Sequence, residues 1–139
     1  MGVMGSGDIG NVLYAKCSEA FAGVEIYRIE DEPEGVVASD RIVIYTKPVQ
    51  LGGLWNSGYV EVNFCVPNRQ DGAADLNKLQ EYERKALQML GGNGHPIVGE
   101  YGENFYRYRV STTSTEQDEP LNCHFVNAHI LFEILNTLN

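Results

Sequence analysis

Residues 59–92, YVEVNFCVPNRQDGAADLNKLQEYERKALQMLGG, change their hydrophobic period halfway along. In the first part Val60, Val62, Phe64 and Val66 alternate with Tyr59, Glu61, Asn63 and Cys65. A period of two is that of a strand with one apolar face. In the second part Leu76, Leu79, Tyr82, Ala86, Leu87 and Leu90 recur at helical spacing and form an apolar stripe. Asp71 or Asp75 stands where an N-cap is expected, and Gly91–Gly92 where a helix stops. A one-sided strand and a one-sided helix must each bury a face, so they predict a helix packed on a sheet.

Working outward, residues 7–23 (GDIGNVLYAKCSEAFAG) also read as a helix. Ile9, Val12, Leu13, Cys17, Ala20 and Phe21 share one side, with Asp8 as a plausible cap and Gly23 as the stop. Further strands are expected at 24–29, 40–48, 105–115 and 124–135, where β-branched and aromatic residues concentrate. Residues 30–35 read as an acidic turn, 49–58 as a glycine-rich connection, and 116–120 as a turn. Residues 93–104 read as a loop with a short extended piece at 97–98. The expected architecture is a single α+β domain over residues 1–139, in the order α-β-β-β-α-β-β. Its sheet is mostly antiparallel, with about five strands and both helices on one face.

Composition narrows the function. The chain has 139 residues and a formal charge of −9, from 10 Lys plus Arg against 19 Asp plus Glu. That balance opposes direct DNA wrapping or anionic membranes, which need clustered cations; Arg107 and Arg109, in YRYRV, are the mild candidates for a basic patch. No apolar run is long enough to span a membrane. The N-terminal MGVMGSGDIG lacks the features of a signal peptide, so a cytoplasmic product is expected. Cys17, Cys65 and Cys123 form no CxxC pair and read as reduced, buried thiols.

The chemical candidates are few. LNCHFVNAHILFEIL, at 121–135, holds Cys123, His124 and His129. On a strand, His124 and His129 point to opposite faces, and on a helix they stand about 140° apart. Neither geometry builds a metal site or a Cys–His nucleophile from this segment alone. The glycines of GGNGHP, 91–96, follow a helix rather than a strand and lack the Lys-Ser/Thr of a phosphate loop. Glu30, Asp31, Glu32 and Glu34 lack the spacing of a calcium loop and read as a solvated turn. The run STTST supplies hydroxyls without a base. The residues therefore predict no catalysis, no cofactor and no metal. Leu51, Leu54 and Trp55 lie in a connection, where apolar side chains either tuck onto the core or meet a partner.

Three stretches carry a resemblance: DRIVIYTKP (40–48), WNSGYVEVNFCVPN (55–68) running into DLNKLQEYERKALQML (75–90), and NAHILFEIL (127–135). With the element order, they resemble the tail-completion, or tail-terminator, proteins of long-tailed bacteriophages and prophages. The likeness spans nearly the whole chain as architecture and rests on no diagnostic motif. It implies a non-enzymatic structural protein. Such a protein assembles with itself into a ring, commonly a hexamer, and meets the tail-tube and head–tail connector proteins. It would be cytoplasmic during assembly and then part of the virion tail. Ring subunits join by two different surfaces of one monomer, and the 49–58 connection with Leu51, Leu54 and Trp55 and the 111–120 hairpin with Thr113 and Thr115 are the expected interfaces. An acidic lumen would let DNA pass without sticking. The rival expectation is a small bacterial cytosolic domain that binds a protein or a small ligand in a helix–sheet pocket. A third is an enzyme built on His95, His124 or Cys123.

Overall fold

A computed structural model describes residues 4–136. Its helices are α1 (Ser6–Ala20) and α2 (Leu76–Met89). Its strands are β1 (Glu25–Arg28), β2 (Arg41–Gln50), β3 (Trp55–Pro67), β4 (Ile97–Tyr101), β5 (Asn104–Asp118) and β6 (Cys123–Leu135). The strands form one sheet in the order β1-β2-β3-β6-β5-β4. Of the neighbouring pairs, β1–β2 is parallel and the others are antiparallel.

The α+β domain is thus as expected, with two corrections. The sheet has six strands rather than five, because the extended piece at 97–98 grows into β4 and pairs with the start of β5. The sheet is also mixed rather than mostly antiparallel, because β1 runs alongside β2 in the same direction. The physical reason lies in the connection, residues 29–40. A hairpin needs only a few residues, whereas a return to the same end of the sheet needs about a dozen. This connection crosses the face away from the helices. There Val37 is buried against Val43, Cys65 and Cys123, and its N–H donates to Leu121 O at 3.0 Å.

The expected boundaries shift as well. β2 and β3 are longer than their apolar cores, so residues 51–54 alone remain as the connection expected over 49–58. β5 continues through the segment 116–118 that composition assigned to a turn. Asp75 caps α2 by accepting from Lys78 N. Gly5, not Asp8, is the N-cap of α1, and Asp8 instead accepts from Gly5 N at 2.9 Å.

One face of the sheet carries the core. Ile42 and Ile44, Val60 to Val66 on alternate positions, Tyr108, and Val126 to Ile134 on alternate positions are buried under both helices. α1 contributes Ile9, Leu13 and Cys17, and α2 contributes Leu79 and Ala86. Leu76 departs from the expected stripe: it lies in the first turn of α2 and is 59% exposed, beyond the reach of the sheet. The acidic turn is not wholly solvated either. Glu32 pairs with the buried Arg41 at 3.5 Å and anchors the crossing connection at the start of β2.

Candidate functional site

Beyond the apolar patch covered by residues 29–40, the sheet face without helices is a polar surface built by cross-strand registry. Glu61 of β3 stands opposite His129 of β6, and Asn63 opposite Asn127. Asn127 Nδ2 donates to Glu61 Oε1 at 2.6 Å and to Asn63 Oδ1 at 2.7 Å, while Lys47 Nζ lies 2.9 Å from Glu61 Oε2. His129 stacks on Tyr59 with centroids 4.5 Å apart. Burial pushes the Glu61 carboxyl up, but hydrogen bonds from Lys47 and Asn127 outweigh it and hold the group below its ordinary range. These groups bond one another and form a rigid band.

At one end of this face stands the sole Trp of the chain. Trp55 opens β3, half-buried, and the Arg107 guanidinium of β5 lies 3.9 Å from its ring centre. Arg107 Nε also donates to Glu133 Oε1 at 2.9 Å. Next to Trp55, the tip of the β2–β3 hairpin carries Leu51 and Leu54, 72% and 68% exposed. Asn56 Oδ1 accepts from Gly52 N at 3.1 Å, and Asn136 N donates to Leu54 O at 2.7 Å, so the backbone of the tip is fixed while its leucines face outward.

Thr113 and Thr115 lie elsewhere, in the part of β5 beyond the reach of β4. Thr113 Oγ1 donates to Glu83 Oε2 of α2 at 2.7 Å, and Thr115 is exposed. The structure therefore brings Leu51, Leu54 and Trp55 together and keeps Thr113 and Thr115 apart from them, as a second surface.

The histidines do not converge. His124 Nδ1 lies 2.6 Å from Asn68 Oδ1, His129 is on the opposite face against Tyr59, and His95 is exposed after α2. Among the described residues, no three of His, Cys, Asp and Glu stand close enough to hold a metal. All three thiols are buried. Burial pushes Cys17 up to about 12, and a hydrogen bond to Cys123 together with burial pushes Cys65 up. A cavity of about 240 Å³ lies between α2 and the end of α1, lined by Phe21, Asp40, Lys78 and Tyr82 among others. It is smaller than the ~300–1,000 Å³ usual for a ligand pocket, and an adjoining shallow hollow of about 490 Å³ shares Val24, Asp40 and Lys78 with it. Asp40 there already accepts from Tyr82 Oη at 2.7 Å and from Lys78 Nζ at 3.3 Å.

Sequence reasoning missed the Lys47–Glu61–Asn127 band and the Arg107 cover on Trp55. The outward set Tyr59, Glu61 and Asn63 was visible in the alternation, but its partners on β6 depend on register. Among the described residues, no helix is long and apolar enough to cross a membrane.

No protein-family model matches the chain, and no curated protein matches it. A solved structure whose name states no function is similar in fold, with a TM-score of 0.58 at 13% identity, covering 94% of this chain and 98% of that one. At that identity the likeness concerns the fold alone.

Proposed function

We propose that this chain is a non-enzymatic structural protein of a long-tailed bacteriophage or prophage. In this reading it forms a homo-oligomeric ring at the end of the tail and joins tail to head, in the manner of a tail-completion protein. The observation that carries the reading is the pair of separated, outward surfaces. The leucine-bearing hairpin tip lies at one end of β3, and the uncovered stretch of β5 lies at the other end of the sheet, along one edge. A head-to-tail ring needs two such different surfaces on each subunit, whereas a two-fold dimer needs only one. The charge of −9 is suited to a ring through which DNA passes. The rival reading, a ligand held between helix and sheet, has weaker support, because Asp40, Lys78 and Tyr82 of the cavity bond one another.

The test is genetic. In the genome that encodes the chain, its gene should lie among capsid, connector and tape-measure genes. Its deletion should leave filled heads and unjoined or overlong tails under the electron microscope. Normal virions after deletion overturn the reading.

A further inference from the structure

The two ends of the sheet match. Following the register across it, Glu25 aligns with Arg41, Cys65, Phe125 and Glu116. Arg28 aligns in the same way with Ile44, Val62, Ala128 and Thr113. Residues 25–28 and 113–116 are therefore the two ends of the same rows. Both ends are open. β1 is the first strand of the sheet, and β4 stops opposite Tyr108, leaving residues 109–118 of β5 paired with β6 alone.

We infer that copies of this chain join head to tail by strand addition, β1 of one copy pairing with residues 113–116 of β5 in the next. This deepens the assembly reading: it keeps the β5 surface, makes β1 its counterpart between copies, leaves the Leu51 and Leu54 tip to meet another tail protein, and rests on that reading only for closure into a ring. Direction supports it. β1 runs with β2 and β6, and β5 runs against them, so a copy placed at the end of the row presents β1 antiparallel to β5. Both strands keep their helix side on the same face of the continued sheet. Neither segment carries Pro or a bulge within it, although β1 is short and holds Glu25 and Arg28, and a register shift lies just before residues 113–116, between Val110 and Thr112. The end of β2 beyond β1 is guarded more heavily, by Lys47, Pro48 and a register shift between Thr46 and Val49. The outer side of β4 is also open, but it lies off the row that joins residues 25–28 to residues 113–116.

Charge adds a directional signature. On the helix side, Arg28 is turned inward under α1, bonded to Asn11 and packed beside Gly10, so it leaves the outer edge of β1 to the backbone. On the other side Glu25 would face Glu116, a like-charged pair that weakens the contact at low salt.

The experiment places Cys at both ends of one row, Glu25→Cys with Glu116→Cys, in the full chain at high concentration. Circular dichroism checks the fold, and oxidation or a short bis-maleimide traps neighbours. The double variant should give a ladder of dimers, trimers and higher species, and each single variant should give none. Tyr27→Cys with Ser114→Cys repeats the test two residues along. Glu116→Lys should increase association by about two- to fivefold, since it turns a like pair into an opposite one. Dimers from Glu116→Cys alone would mean two-fold pairing of β5 and overturn the inference, as would a folded double variant that yields no ladder. A ladder combined with normal virions after gene deletion would keep this contact and remove the tail reading instead.

Discussion

Tyr82 of α2 donates its phenol O–H to the Asp40 carboxylate, 2.7 Å away, at the threshold of β2. Lys78, one turn earlier on the helix, reaches the same carboxylate at 3.2 Å. Phe64 stacks beneath Tyr82 with centroids 5.7 Å apart. A single side chain thus ties the start of one strand to a helix and caps the core beneath it.

Replacing Tyr82 by Phe should keep the ring packing and lose the bond, at a cost of about 1 kcal/mol in chemical denaturation. Burial, and then the bond to Asp40, hold the Tyr82 phenol above its ordinary value of 10.0. The folded state therefore keeps this proton at a pH where the unfolded chain releases it. The contribution of Tyr82 should be full below about pH 10 and be lost as the pH rises further. Tyr82→Phe should make the alkaline decline shallower, with the remainder set by the other groups whose protons the fold holds, Tyr106, Tyr108, Cys17 and Cys65 among them. An unchanged slope in the variant would refute the assignment.

Along α2, Leu79 and Leu76 should behave oppositely despite their matching place in the sequence stripe. Leu79 is 2% exposed and Leu76 59%. Leu79→Ala should cost about 2–5 kcal/mol, and Leu76→Ala less than about 0.5 kcal/mol. Urea midpoints of the two variants give the comparison directly, and similar losses would mean that the helix is rotated from its described setting.

Trp55 should report on Arg107. Truncating Arg107 to Ala uncovers the indole and removes the Glu133 pair, so the emission of the sole Trp should move to longer wavelength while stability falls by no more than about 1 kcal/mol. No spectral shift would place Trp55 away from that guanidinium.

The thiols should be silent in the native protein. Cys17, Cys65 and Cys123 are buried, and Cys17 is pushed up to about 12. A chromogenic disulfide reagent at neutral pH should label none of them over minutes and all three after denaturation. A rapid native equivalent would contradict their burial.

Leu51 and Leu54 can be tested for assembly without endangering the fold. Changing both to Ser should leave the denaturation midpoint within about 0.5 kcal/mol of the parent, because neither is buried. Under the tail reading, the same change should lower the yield of joined virions. Unfolding of this variant would mean that the tip supports the core.

The strand β3 and the helix α2 were legible because each carries a clear period, two and then 3.6, with the repeats turned to the core except at Leu76. β4 was not, since IVGEY is short and interrupted by Gly99. That glycine is there for a reason that appears only after folding. A Cβ at Gly99 would lie 2.5 Å from the Tyr106 hydroxyl across the hairpin. The direction of β1 was equally hidden, because local composition marks a strand without naming its neighbour. At the candidate surface, Leu51 and Leu54 were readable as apolar residues in a connection. The cover on Trp55 was not, because Arg107 reaches it from a strand far along the chain.

The position of β6 between β3 and β5 has a consequence for biosynthesis. β3 is translated first, then α2, β4 and β5, yet β3 finds its inner partner only when Cys123–Leu135 has been made. At about 5–20 residues per second, the emerging chain spends seconds as a β2–β3 hairpin with an open apolar face. The sheet then closes in one late step around a strand that completes both of its halves. A ribosome that stalls before that strand would release a product whose helices and hairpins have no continuous sheet to pack on and are marginal alone, a substrate for chaperones and proteases.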